Sequence, residues 1–142
     1  MTRGLLRKIT VWTVLAGTVG LGLGGCFDVK AADLFLLQRT GQGPAFSLLV
    51  KDNGMISCNG GELRRLADPL LLQARDLATA YETYVRSGLK GGIPGNSVFR
   101  YRIELPYGTI TFPDTAAAQR PVFAQTEQFA LRAAHQACHL AT

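Results

Sequence analysis

The stretch Phe46–Cys58, FSLLVKDNGMISC, places a turn between two apolar runs. Asn53 and Gly54 both tolerate a positive φ, and an Asn-Gly pair between such runs is the strongest short-range signal of a β-hairpin. The run that precedes it, Asp33–Arg39 (DLFLLQR), is apolar almost throughout and short enough for a buried strand. Together the three segments predict an antiparallel meander.

A helical pattern follows the meander. We expect Asp68 to be the N-cap and Pro69 the first helical residue, while Glu82 and Arg86 form an i,i+4 pair. Gly88 is typical of the residue that ends a helix. The apolar side chains recur at helical spacing and predict one buried stripe. Its members are Leu70, Ala74, Leu77, Ala78, Tyr81, Tyr84 and Val85.

Two further strands and a second helix complete the domain. Ser97–Leu105 (SVFRYRIEL) alternates between apolar and polar residues, and Thr109–Phe112 (TITF) continues the apolar side after a turn. A last helix is predicted from Pro121 to about Leu140. Its predicted buried side chains are Phe123, Ala130, Leu131, Ala134 and Cys138. The order β-β-β-α-β-β-α predicts an α+β fold, with an antiparallel sheet of about five strands and two helices on one face.

The first residues have the layout of an export signal. Three basic residues precede the uncharged run Ile9–Leu23, which is too short to span a hydrocarbon core of about 30 Å as a helix. The alternatives to a lipoprotein signal are an ordinary secretory signal with an incidental cysteine and an uncleaved N-terminal helix.

Leu23-Gly24-Gly25-Cys26 resembles the bacterial lipobox, in which the cysteine thiol receives a diacylglycerol and a signal peptidase cuts just before it. The resemblance implies a signal peptide over residues 1–25, a lipid on Cys26, a short tether over 26–32 and a single α+β domain over 33–142. It also implies a location on the extracytoplasmic side of the cell membrane, held by two or three acyl chains.

The resemblance also bears on the other cysteines, since the chain has 3 in all. With Cys26 acylated, Cys58 and Cys138 remain in an oxidising compartment, where a disulfide is their expected state. A redox-active pair would have the spacing CxxC, which these two residues lack. We therefore expect a structural disulfide.

No catalytic or metal-binding pattern stands out in the domain. His135 and His139 lie four residues apart, but Gln136 stands where a zinc peptidase needs a glutamate, so a solvated helix face is expected and adventitious zinc binding is the alternative. No serine lies in a GxSxG elbow. We predict no catalytic residue, no metal ligand and no cofactor. A hydrolase whose site is assembled in space is the least favoured alternative.

The charge of the chain does not favour nucleic acid as a partner. The 15 basic residues exceed the 10 acidic ones, but three of the basic residues lie within the export signal. No basic stripe is interleaved with aromatic residues, so nucleic-acid binding is not expected. Arg100, Arg102 and Glu104 occupy the polar side of one strand, where a solvated face is predicted and contact with anionic headgroups is the alternative.

The domain resembles emfourin-type inhibitors of metallopeptidases over about residues 34 to 134. The resemblance rests on an apolar strand that ends in Arg39-Thr40-Gly41, a Gly/Pro loop, a central helix, the segment FRYRIELPYGTITF (Phe99–Phe112) and a helix after Pro121. The chain is also similar to small uncharacterised lipoproteins of actinobacteria, which share the lipobox and the paired cysteines. Emfourin-type inhibitors have neither, and their double glycine is interrupted here by Gln42.

Two functions are therefore expected. The first is a non-enzymatic, membrane-anchored protein of the cell envelope that binds a partner. The second is peptidase inhibition through the loop that the resemblance implies as the contact, which consists of Arg39, Thr40, Gly41, Gln42, Gly43 and Pro44. Bulky residues in place of Gly41 and Gly43 are expected to abolish inhibition while leaving the fold intact.

Overall fold

The computed structural model describes residues 33–88, 91 and 95–142 and has α+β architecture. In chain order, its elements are the strands β1 (Asp33–Gly41), β2 (Phe46–Lys51), β3 (Met55–Cys58) and β4 (Leu63–Arg65), the helix α1 (Asp68–Arg86), the strands β5 (Phe99–Leu105) and β6 (Gly108–Pro113), a short 3₁₀ helix (Asp114–Ala118) and the helix α2 (Pro121–Gln136). The strands form one 6-stranded antiparallel sheet in the order β4-β3-β2-β1-β5-β6. The predicted fold class is confirmed.

The sheet contains one strand more than the sequence predicts. The additional strand, β4, pairs with β3 at the edge of the sheet, and all 3 of its residues are exposed. Because no residue of β4 is buried, its sequence carries no apolar alternation by which it could be recognised. Its Arg64 and Arg65 place charge on the edge, which disfavours pairing with another chain.

The hairpin between β2 and β3 forms where Asn53-Gly54 predicts it, with the predicted bounds of both strands. Gly54 has a φ of 82°, and its N–H donates to the carbonyl of Lys51 over 3.1 Å. The Asn53 side chain accepts a hydrogen bond of 3.2 Å from the N–H of Met55. The turn is therefore the expected three-residue loop, Asp52 to Gly54, with its glycine in the left-handed region.

The helix α1 buries the predicted stripe through Leu70, Ala74, Leu77 and Tyr81. Its start differs from the prediction, because Ala67 is the N-cap and makes no side-chain cap bond. Asp68 is instead the first helical residue, and its exposed carboxylate lies 3.9 Å from Arg65. The predicted pair between Glu82 and Arg86 is present at 2.7 Å.

The helix α2 ends at Gln136, earlier than predicted. The chain turns there, with a φ of 53° at His139. The buried positions of α2 also differ, since Leu131 is 38% exposed. The side chains that α2 buries are Val122, Phe123, Thr126, Phe129, Ala130, Ala133 and Ala134.

Both helices contribute to one core on a single face of the sheet. An aromatic stack crosses it from strand to helix: the Phe112 ring lies 5.4 Å from that of Tyr101 on β5 and 4.3 Å from that of Phe123 on α2. Phe35 on β1 meets Phe129 edge-on at 5.7 Å. The alternate residues of the strands point to the opposite face, which we call the outer face and which no described helix covers.

Candidate functional site

The Arg39–Pro44 loop connects β1 to β2, and most of its residues lie in solvent. Thr40, Gly41, Gln42 and Pro44 are exposed, and Gly43 is half-buried. The strand β1 extends as far as Gly41, so the first part of the predicted loop is paired to β5. The exposed surface of the loop is thus a short segment that is held in place by the sheet.

Arg39 lies inside the protein, although the sequence suggests a surface residue. Its side chain is 2% exposed, and the guanidinium carbon lies 4.5 Å from the ring centroids of both Phe46 and Phe99. One guanidinium nitrogen, Nη2, donates to the carbonyl of Pro44 over 2.8 Å. Among the described residues, Nε has no hydrogen-bond partner. Arg39 therefore supports the loop from within and does not offer its side chain to a partner.

The other end of the loop is attached to the residue before β5. The N–H of Gln42 donates to the carbonyl of Val98 over 3.1 Å. A Cβ on Gly41 would lie 2.1 Å from that carbonyl oxygen, and φ is 144° there, so the close approach requires glycine. A Cβ on Gly43 would lie 2.9 Å from the Phe99 ring. A bulky residue at Gly41 would therefore displace the backbone of the loop, contrary to the expectation from sequence, whereas one at Gly43 would push against the Phe99 ring.

Asp114 fixes the segment against which the loop rests. Its Oδ2 atom accepts hydrogen bonds of 3.1 Å from the N–H groups of both Val98 and Phe99. The Val98 side chain is 46% exposed, so an apolar group lies beside the loop. Sequence reasoning missed both residues, because Asp114 meets a segment 16 residues earlier in the chain.

The surface of the described residues includes the following two open grooves. The first, of about 290 Å³, runs beside the Arg39–Pro44 loop and is lined by Gln38, Arg39, Thr40, Ala45, Phe46, Ser47 and Asn59. The second, of about 440 Å³, lies between the two helices and includes the exposed Leu72. Thr40 and Ser47 bring hydroxyl groups to the first groove and Asp76 brings a carboxylate to the second, and neither lining includes a histidine.

The structure brings Cys58 and Cys138 together as a disulfide pair, with their Cα atoms 5.8 Å apart. The two residues are separated by 80 positions in the chain. The bond ties the end of β3 to the residues that follow α2. It therefore restrains the C-terminal part of the chain against the sheet.

Glu127 on α2 has an unusual electrostatic environment. Its Oε1 atom is buried and has no hydrogen-bond partner among the described residues. Burial, with a smaller contribution from the negative charge of Asp114, raises the pKa of Glu127 from 4.5 to about 7. Burial also raises the pKa of Tyr101, an effect that Glu127 reinforces and Arg39 opposes. Sequence periodicity places Glu127 beside the buried stripe but cannot show that its carboxylate lacks a partner.

Replacing Glu127 by glutamine is expected to make the protein more stable in alkali. The folded state holds the Glu127 proton more tightly than the unfolded state, so the free energy of unfolding falls as the pH rises from 4.5 through about 7. Because the side chain is only half-buried, we discount the shift to about 1–2 kcal/mol. Glu127→Gln should gain this amount at pH 8 and nothing at pH 4.5, as measured by urea unfolding. An equal effect at both pH values would contradict the assignment.

The two histidines do not form a pair on one helix. His135 lies in the last turn of α2, whereas His139 lies beyond the end of the helix; both are exposed. Within the described residues, no three His, Cys, Asp or Glu side chains are grouped so as to hold a metal ion. The two histidines therefore do not lie on one face of a helix, as zinc binding by this pair would require.

The anchor residues lie outside the described part of the chain. This applies to the lipobox residues Leu23, Gly24 and Gly25, to Cys26 and to the tether over 26–32. Of the helices that the structure describes, none is long and apolar enough to cross a membrane.

Neither family models nor curated proteins nor solved structures gave a match to this chain. The function proposed below therefore rests on the residues and contacts of the chain itself.

Proposed function

We propose that the protein is a membrane-anchored lipoprotein of the cell envelope and that it binds a protein partner, without catalysis, through the Arg39–Pro44 loop. The observation that carries the proposal is that an exposed loop is bonded to the buried Arg39 and to the backbone of Val98. The buried guanidinium of Arg39 donates a hydrogen bond to the carbonyl of Pro44. The N–H of Gln42 donates a hydrogen bond to the carbonyl of Val98. A loop fixed before binding loses less conformational entropy when a partner docks.

The position of the loop also suits an anchored protein. The tether that follows Cys26 enters the domain at Asp33, the first residue of β1, whereas the loop follows the last residue of that strand. At about 3.3 Å per residue, the two ends of β1 lie about 26 Å apart. The lipid attachment and the loop therefore do not compete for the same surface.

The anchor is tested by the intact mass of the protein purified from membranes of its native host. We expect a chain that begins at Cys26, heavier by two or three acyl groups and lighter by the two hydrogens of one disulfide. Cys26→Ser should prevent the acylation. The signal peptidase should then no longer cut before residue 26. A wild-type chain that begins elsewhere and carries no lipid would refute the anchor.

The partner site is tested with a photo-crosslinking amino acid at Gln42, introduced into the full chain in the native host. Thr83, which is exposed on α1, provides the matched control position. We expect an adduct of defined mass from position 42 and none from position 83. Gly41→Val, which displaces the loop, should remove that adduct. Identical adducts from both positions would show that the loop is not the contact.

The same loop supports the second candidate, inhibition of a metallopeptidase. A backbone held rigidly in solvent suits the rigid docking that is usual in complexes of proteases with inhibitors. The full chain in detergent should then inhibit a thermolysin-type peptidase, and Gln42→Trp should weaken inhibition at least tenfold while Thr83→Trp leaves it unchanged. If the wild-type chain does not inhibit such peptidases, the candidate is excluded.

A further inference from the structure

The outer face of the sheet is a surface of the described domain that no described helix covers. Strand pairing places residues side by side on it: Thr40 lies opposite Arg100, and Arg102 lies between Gln38 and Thr111. The side chains of Thr40, Arg100, Arg102 and Thr111 are exposed. This part of the face is therefore polar, with arginines beside hydroxyl groups, whereas Leu36 on the same face is only 3% exposed.

The charges on this face are mostly positive. Arg100 has no acidic partner among the described residues, whereas Arg102 pairs with Glu104 at 3.0 Å. Arg65 on β4 is 84% exposed and lies 3.9 Å from an equally exposed Asp68, so its charge is only weakly offset. Among the described acidic residues, Glu104 lies on the outer face, whereas Asp68, Asp76, Glu82 and Glu127 lie on the two helices.

A bilayer lies within reach of this face if Cys26 is acylated. The tether of residues 27–32 extends at most about 20 Å, which is less than the length of β1. A sheet of 6 strands is about 24 Å wide at the usual strand spacing of about 4.8 Å, so it offers a broad surface to a planar partner. Guanidinium groups and threonine hydroxyls both donate hydrogen bonds to phosphate oxygens.

We propose that the outer face rests on anionic phospholipid headgroups, through Arg100, Arg102 and Arg65. This inference depends on the proposed lipid anchor, which holds the domain near the membrane. In this orientation Thr40 lies beside Arg100 at the membrane contact, whereas residues 42–44 lie beyond the end of β1, at the rim of the sheet, where a partner reaches them. Each arginine strengthens the contact about fivefold at an anionic surface.

The experiment uses the acylated chain purified from membranes, with an environment-sensitive fluorescent amino acid at Thr111. Thr83 on α1 is the control position. The chain is reconstituted into vesicles of phosphatidylcholine alone or with about one third phosphatidylglycerol. We expect the emission from position 111 to shift to the blue only in the anionic vesicles and to return in high salt, because screening weakens the contact. Emission from position 83 should not change.

Charge reversal provides the matched variants. Arg100→Glu/Arg102→Glu should abolish the shift, whereas Arg86→Glu/Arg132→Glu, which reverses two arginines on the helices, should leave it intact. The same shift in both kinds of vesicle, or its survival in the outer-face variant, would overturn the proposal. A shift of equal size with soluble polyphosphate alone would also overturn it, since the face would then take a dissolved polyanion. Intact mass, measured beforehand, separates these outcomes from a failure of the anchor: an acylated chain without the shift refutes only this inference.

Discussion

Cys58→Ala/Cys138→Ala is expected to lower the free energy of unfolding by about 4 kcal/mol. The disulfide closes a loop of 80 positions, so its removal restores a large conformational freedom to the unfolded chain. The bond also connects β3 to the turn after α2, where Cys138 is buried as part of the core. Urea unfolding followed by circular dichroism, with and without the two substitutions, measures the loss.

Reduction of the wild-type chain provides the control for this prediction. Dithiothreitol should produce the same loss in the wild type and none in the double variant, because the variant has no disulfide to reduce. A loss below about 1 kcal/mol would show that packing alone holds the end of α2 on the sheet. It would also show that the unfolded chain retains structure that brings the two segments together.

The sequence predicts those helices and strands in which buried apolar side chains recur at regular positions along the chain. β2 and β3 have the predicted bounds, and the half-buried β5 follows its alternation. The elements that the sequence does not predict bury too little to leave a pattern, as in the fully exposed β4. The last predicted turn of α2 is absent, because the chain leaves the helix after Gln136 and adopts a φ of 53° at His139, with no glycine or proline there to indicate the end.

For the candidate site, the sequence predicts where the loop lies in the chain but not the contacts that hold it in place. The glycines and the proline after Arg39 indicate a loop, but the contacts that fix it come from β5 and from Asp114. Because Phe46 and Phe99 lie on strands that flank β1, only the pairing of the sheet reveals that they enclose Arg39. Arginine is usually exposed, so neither its residue type nor its neighbours in sequence indicate burial.

Arg39→Ala is expected to lower the free energy of unfolding by about 3 kcal/mol. The change removes cation–π contacts with Phe46 and Phe99, the hydrogen bond to the carbonyl of Pro44 and the buried stem of the side chain. Arg132→Ala, at an exposed position of α2, should change stability by less than about 0.5 kcal/mol. Urea unfolding of the three proteins makes the comparison.

Arg39→Lys separates the shape of the side chain from its charge. Lysine keeps the positive charge but lacks the planar group that lies between the two rings and reaches Pro44, so we expect about half of the loss seen with alanine. The crosslink from position 42 should also weaken in both variants, because the loop loses its internal support before the domain unfolds. If Arg39→Lys were as stable as the wild type and kept the full crosslink, a buried positive charge alone would be enough to support the loop, and the planar shape of the guanidinium would not be needed. The fixed loop conformation on which the proposed partner site depends would then have to come from Val98 and Asp114.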